Sequence, residues 1–310
     1  MRKAFFFFGI LILTALSSTI SIAAPATTTD AGMMFGGQWF EVNQSGTSTV
    51  NLSELPPIVE LYTATWCSNC VDVEHALDGI VNETGIQQYH IHRAINEAQD
   101  PLGSIEVDQR FYDRYDVVAP PVVVFNGSVI KVGSVTDAES LESEFTTLAQ
   151  QNTDISGTST FSWNKTGDTT GTASWALNLQ DLNTPNGSTL VAYVWLVEHS
   201  ANFEEGTNGL VDYPHVVRDI IELGEINLTA NPPLTSGTSN IVLQSTWELA
   251  AYDGNDLSVH LIYQVNLPAD VEEPEEILPS TTDSPEEGLP AVSLFASISV
   301  IIGAALVRRD

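Results

Sequence analysis

The chain has 310 residues with 40 acidic and ten basic side chains, a formal net charge of −30. Such a balance repels phosphate backbones and acidic lipid surfaces, which excludes nucleic acid as a partner. With two cysteines in all, and His90, His92, His199, His215 and His260 scattered rather than set at finger spacing, a four-ligand zinc site lacks donors and no cofactor is implied.

In chain order, Met1-Arg2-Lys3 precedes an apolar core from Phe5 to Leu16, and Ser21-Ile22-Ala23 supplies small residues for cleavage after Ala23. Residues 1–23 therefore read as a secretory signal peptide, with an uncleaved N-terminal anchor as the alternative. Residues 24–54 form an N-terminal extension or linker. The run from Ile58 to Thr63 reads as a strand, and Trp66-Cys67-Ser68-Asn69-Cys70 follows it. Apolar residues then recur at Cys70, Val73, Leu77, Ile80 and Val81, the spacing of one helical face, although Gly79 costs that helix something. Tyr89, Ile91 and Ile95 suggest a strand, and Ser104 opens a helix with Val107, Phe111 and Tyr115 on one side. Val122 to Phe125 is an apolar run of buried-strand type, and Asn126-Gly127 turns it into Val129 to Val132. Thr136 and Glu139 form a capping-box pair before Ala138, Leu141, Phe145, Leu148 and Ala149.

Beyond residue 156 the pattern changes to strands. Thr172 to Leu179, Thr189 to Glu198, Val216 to Leu223, Ile226 to Ala230, Ile241 to Leu249 and Leu257 to Val265 are separated by turn residues such as Asn186-Gly187, Asn208-Gly209 and Asp253-Gly254. Their regular spacing predicts an immunoglobulin-like antiparallel sandwich over 156–266, with Trp163, Trp175, Trp195 and Trp247 as core residues. Residues 267–288, rich in Pro, Glu, Ser and Thr, read as a disordered acidic stalk. Residues 289–307, uncharged, are long enough to span a bilayer, and the basic tail 308–310 would stay inside.

The thiol pair carries the chemistry. A zinc half-site has no second half, and a loop closed over two residues removes little unfolded-chain entropy, so a structural staple gains little. Redox exchange remains, since a thiol at a helix start has its anion stabilised by unpaired N–H groups. Cys67 is thus the expected nucleophile and Cys70, one turn deeper, the resolving thiol. Asp72 and Glu74 follow closely and would oppose the anion, so only moderate activation is expected.

The order β-α-β-α-β-β-α, with Trp-Cys-X-X-Cys at the first helix and Ala119-Pro120-Pro121-Val122 before the hairpin, resembles the thioredoxin superfamily over residues 55–151. The resemblance implies an α/β thioredoxin-like domain in which Trp66 belongs to the motif and Pro120 is a cis-proline facing the thiols, with Pro121 as the other register. It also implies a buried carboxylate six positions before the first cysteine, where this chain has Leu61. Glu60 fills that role only if Thr63 is a bulge, and is otherwise a solvated or paired strand residue.

Tyr193 to Glu198 and Tyr213 to Arg218 resemble the β domain of secreted bacterial surface proteins that carry an N-terminal thioredoxin-like part. That likeness bears on architecture more than on activity, and His215 and Arg218 are expected to cap exposed carboxylates or to form a partner-binding spot. The tail resembles the tripartite sorting signals of archaeal and bacterial surface proteins, with Gly288-Leu289-Pro290 in place of the common Pro-Gly-Phe.

The expected fold class is therefore a thioredoxin-like domain plus an immunoglobulin-like sandwich and one C-terminal transmembrane helix. The expected function is an extracytoplasmic, membrane-anchored thiol–disulfide oxidoreductase acting on protein thiols and disulfides. The sandwich is expected to present or assist that chemistry without any of its own. The rival is a surface adhesion or ligand-binding protein whose Cys67–Cys70 bridge is only structural. Sequons at Asn43, Asn51, Asn82, Asn164, Asn186 and Asn227 are candidate glycosylation sites, and a seventh at Asn126 reads as a turn residue.

Overall fold

Helix α1, Ser68–Thr84, begins where the sequence places the thiol pair: Cys67 is its N-cap and Gly85, at φ 68°, ends it in the left-handed region. Val73, Leu77 and Ile80 are buried on one face, each worth roughly 1.5–3 kcal/mol, which outweighs the ~1 kcal/mol cost of Gly79. Helix α2, Ile105–Tyr115, is capped by Ser104, whose Oγ accepts from the Val107 N–H at 3.2 Å. Helix α3, Leu141–Ala149, carries a capping box, but between Ser140 and Ser143. Thr136, expected to cap it, instead closes a local turn by accepting from the Ala138 N–H.

The structure is a computed structural model describing residues 23–151, 155–168, 170–182, 184–228, 235–242, 254 and 256–268. Its strands are β1 Thr27–Thr28, β2 Met33–Glu41, β3 Gly46–Asn51, β4 Ile58–Thr63, β5 Gln87–His92, β6 Val122–Phe125 and β7 Val129–Val132. They continue with β8 Ser156–Lys165, β9 Thr170–Asp181, β10 Thr189–Asn202, β11 Asp212–Asn227, β12 Thr235–Val242 and β13 Leu257–Asn266. A nine-stranded sheet has the order β1-β7-β6-β4-β5-β11-β10-β13-β2, and a four-stranded sheet the order β12-β9-β8-β3.

This arrangement overturns the expected fold class. Three α-helices accompany thirteen strands among the described residues, so the chain is mainly β and is not an α/β thioredoxin fold with a separate sandwich. The strands of the βαβαββα stretch do not close a sheet of their own. β5 pairs in parallel with β11 at His90 and Val216, and the sheet runs on through β10 and β13. Residues 33–51, expected as a linker, supply β2 against β13 and β3 against β8. Periodicity reports which face of a strand is buried but says nothing of its neighbour, which is why the elements are legible and their partners are not.

The expected membrane span at 289–307 lies outside the described residues, as do the basic tail, residues 1–22 and the stalk beyond Pro268. Among the described residues no helix is long and apolar enough to cross a membrane.

One apolar core lies between the two sheets, joining Phe161, Trp163 and Trp175 to Val194, Leu196 and Val259. Two more flank the strands β4 to β7: Val59 and Leu61 pack with Val73 and Leu77 of α1, whereas Ile58 and Tyr62 pack with Phe111 of α2. Arg218, expected at an exposed edge, is buried; its Nε donates to Glu198 Oε2 at 2.5 Å and its Nη1 to the Leu102 carbonyl at 3.1 Å. His215 is partly covered, in edge contact with the buried ring of His90 at 5.5 Å.

Candidate redox site

Cys67 and Cys70 form a disulfide with S–S 2.03 Å at the start of α1. Cys67 precedes the first helical residue, so the unpaired N–H groups of the first turn lie beside its sulfur. Both cysteines are buried, but unequally: Cys67 keeps 6% of its residue surface and Cys70 none. Trp66 and Ala64 pack against the pair. The Trp66 indole N–H donates to Glu97 Oε2 at 2.7 Å, which fixes the ring next to Cys67.

A layer of ionisable groups lies on the same side of the sheet. Glu74 stands four residues after Cys70, and helical geometry places positions four apart side by side. It is buried, and accepts a hydrogen bond from Thr63 Oγ1 at 2.9 Å. Burial raises its carboxyl above the usual range against the opposing pull of Thr63 and His92. Glu74, expected to follow the thiols closely and oppose their anion, has its side chain turned inward. Close by, Asp100 Oδ2 accepts from His92 Nδ1 and from the Thr65 N–H, each at 2.8 Å, while Oδ1 accepts from the Leu102 N–H at 3.0 Å. Burial opposes ionisation of Asp100, but the charge and hydrogen bond of His92 with the two N–H groups hold its carboxyl below the usual range.

The connection between β10 and β11 covers the other flank. The Thr65 carbonyl accepts from the Thr207 N–H at 2.9 Å and the Asn208 N–H at 3.1 Å. The hairpin comes this close because of Gly206, where a Cβ would lie 2.0 Å from the Tyr213 hydroxyl oxygen. Tyr213 donates to Asn208 Oδ1 at 2.9 Å, and burial pushes its hydroxyl up to about 12. The loop before the disulfide is therefore held by residues beyond 200, so residues 55–151 do not build the site alone.

The remaining sequence candidates fall elsewhere. The cis peptide bond joins Pro120 to Pro121, so Pro121 and not Pro120 is the cis residue, in the register kept as the alternative. Glu60 is fully buried on the α2 side of β4, where it accepts from Arg110 Nη1 at 2.7 Å and from the Tyr115 hydroxyl. The pairing of β4 with β5 runs without a shift from Ile58 to Thr63, so no bulge at Thr63 turns Glu60 toward α1. Its role under the cysteines is excluded, and it is a paired strand residue. Asn43, Asn51, Asn82, Asn164, Asn186 and Asn227 are all exposed. Asn126 is buried at φ 49°, its Oδ1 accepting from the Ile58 N–H at 2.9 Å. Among the described residues no group of histidine, cysteine and carboxylate side chains could hold a metal ion.

The burial of Glu74 was missed, although its place four residues after Cys70 on the same helical face could have signalled it. The pairing of His92 with Asp100, and of Trp66 with Glu97, spans sequence separations that carry no local signal.

No family model matches the chain. No curated protein matches it either. Among solved structures, a structural-genomics target protein from Agrobacterium tumefaciens aligns with TM-score 0.41 and 15% identity over 70% of this chain and 96% of its own. HBP35 of Porphyromonas gingivalis aligns with TM-score 0.45 and 13% identity over 76% of this chain and 80% of its own. Neither likeness bears on the chemistry.

Proposed function

We propose that the protein is a thiol–disulfide oxidoreductase that exchanges the Cys67–Cys70 disulfide with protein thiols, outside the cytosol where such a bond persists. The observation that carries this reading is a disulfide at a helix start whose outer cysteine, Cys67, keeps 6% of its surface exposed while Cys70 keeps none. A substrate thiolate attacks the Cys67 sulfur, forming a mixed disulfide and releasing Cys70 as a thiolate. A second substrate thiolate attacks the substrate sulfur of that bond, releasing the Cys67 thiolate. The substrate dithiol loses two electrons and two protons, and the cysteine pair is reduced. The reverse sequence reduces a substrate disulfide.

The first turn of α1 stabilises the Cys67 thiolate, and Glu74 exchanges the proton of Cys70. A carboxyl raised by burial suits that task, because the gap between its affinity for a proton and that of a thiol is narrowed. A purely structural role for the bridge is disfavoured, since a ring closed over Ser68 and Asn69 restrains little unfolded chain.

The reduced Cys70→Ala variant is expected to accumulate a mixed disulfide at Cys67 when treated with a cysteine-peptide disulfide, seen as a mass increase of one peptide, whereas the parent chain resolves it. Labelling of Cys70 ahead of Cys67 by limiting alkylating reagent in the reduced parent would reverse the assignment.

A further inference from the structure

A groove of about 440 Å³ is lined by Trp66, the residue before Cys67, and by Phe203. Pro101 adds apolar surface, and Gln99, Glu205 and Thr207 supply polar edges. It is formed by the β4–α1 loop, the segment after β5 and the β10–β11 hairpin, and the bonds of Thr207 and Asn208 to the Thr65 carbonyl hold the hairpin against the first of these. Neither cysteine lines the groove, but Trp66, which does, packs against the Cys67–Cys70 pair.

The electrostatic character of the groove is one-sided. No lysine or arginine lines it, Glu205 is on its edge and Glu204 is exposed next to it. Glu97 adds a third carboxylate, because it holds the Trp66 indole. Although partial burial opposes ionisation, the Gln99 N–H, the Trp66 indole and the Ala98 N–H keep the Glu97 carboxyl below its usual range, so its charge is present at neutral pH. Apolar walls with a carboxylate rim fit an apolar side chain flanked by a cation.

We propose that this groove docks the cysteine-bearing segment of a protein substrate that carries an apolar side chain and a lysine or arginine next to the reacting cysteine. The proposal rests on the exchange reading above and names the substrate class for it. The cation is drawn by Glu204 and Glu205, the apolar side chain lies between Trp66 and Phe203, and the cysteine reaches Cys67.

Docking is measured apart from chemistry with two fluorescent peptides in which serine replaces cysteine, Lys-Phe-Ser-Lys and Glu-Phe-Ser-Glu, titrated with the oxidised full-length protein. The lysine peptide is expected to bind at least about tenfold more tightly at low ionic strength, with the margin shrinking as salt is added. The E204K/E205K variant, its fold checked by an unchanged circular-dichroism spectrum, is expected to invert the preference. Equal affinity for the two peptides, or an unchanged preference in E204K/E205K, would overturn the docking proposal. A protein that binds the lysine peptide as expected but does not exchange with β-mercaptoethanol would leave the groove a peptide site and overturn the exchange reading instead.

Discussion

Replacing Arg110 with alanine is expected to lower the unfolding free energy by about 3–5 kcal/mol, the range for removing one partner of a buried ion pair. The cost arises at Glu60, which has no exposed surface and would be left with the Tyr115 hydroxyl as its hydrogen-bond partner. Arg110 also joins elements distant in sequence: its Nη2 donates to Gln264 Oε1 at 2.8 Å on β13, and its guanidinium lies 4.7 Å from the Trp195 ring centroid on β10. The double variant Glu60→Gln, Arg110→Met removes both charges and is expected to recover a large part of the loss, because an uncompensated buried charge costs more than a missing pair. Urea denaturation of the three proteins checks this. A loss below about 1 kcal/mol for Arg110→Ala would place the pair among exposed ones.

Stability is expected to fall steeply as pH drops from 6.5 toward 4. His260 is buried between the Tyr89 hydroxyl at 3.1 Å and Ser258 Oγ at 2.7 Å, and burial lowers its affinity for a proton to about 3, helped by the charges of His199 and His215. Burial lowers His90 and His215 in the same direction. A histidine ordinarily titrates near 6.5 in an unfolded chain. Above that pH both states are neutral and nothing changes. Below it the unfolded chain takes up a proton that the native state refuses, so stability declines by about 1.4 kcal/mol per pH unit for each fully shifted histidine until the folded value is reached. Asp100 adds a loss at lower pH, since its depressed carboxyl contributes stability above about 3.9 that vanishes as pH falls through the folded value. Glu74 and Asp219, both raised by burial, work the other way, costing stability while ionised and relieving that cost as they protonate, but two carboxyls do not offset three histidines. The thermal midpoint should be level between pH 7 and 8 and drop sharply below 6. A His260→Asn variant should lose up to about one proton of slope between pH 6 and 4, and a profile that stays flat to pH 4 would contradict the account.

Much of the local structure could be read from the sequence because it is written in neighbouring residues. Ser104 caps α2, Asn126-Gly127 turns β6 into β7, and the stripe through Cys70, Val73 and Leu77 buries one face of α1. Strand β8 escaped because it alternates Ser and Thr with Phe161 and Trp163, so only two large apolar residues mark its buried face. Strand β11 runs unbroken through Gly224, where two strands were expected. The architecture itself was hidden. A parallel bond between β5 and β11, 126 positions apart at His90 and Val216, is a choice of partner that no period of two or 3.6 records. The site divides along the same line: Cys67, Cys70 and Trp66 form a contiguous motif, whereas the carboxylates that hold and flank them come from Glu97, Asp100 and the hairpin at Glu205.

The central claim is that Cys67 and Cys70 exchange electrons with protein thiols, and turnover in a glutathione redox buffer tests it most directly. The full-length parent chain is expected to catalyse disulfide formation or reduction in a dithiol model peptide, and the Cys67→Ser, Cys70→Ser protein to fall to the uncatalysed rate while keeping its fold. Undiminished turnover in the double serine protein, or a parent chain no faster than buffer alone, would contradict it.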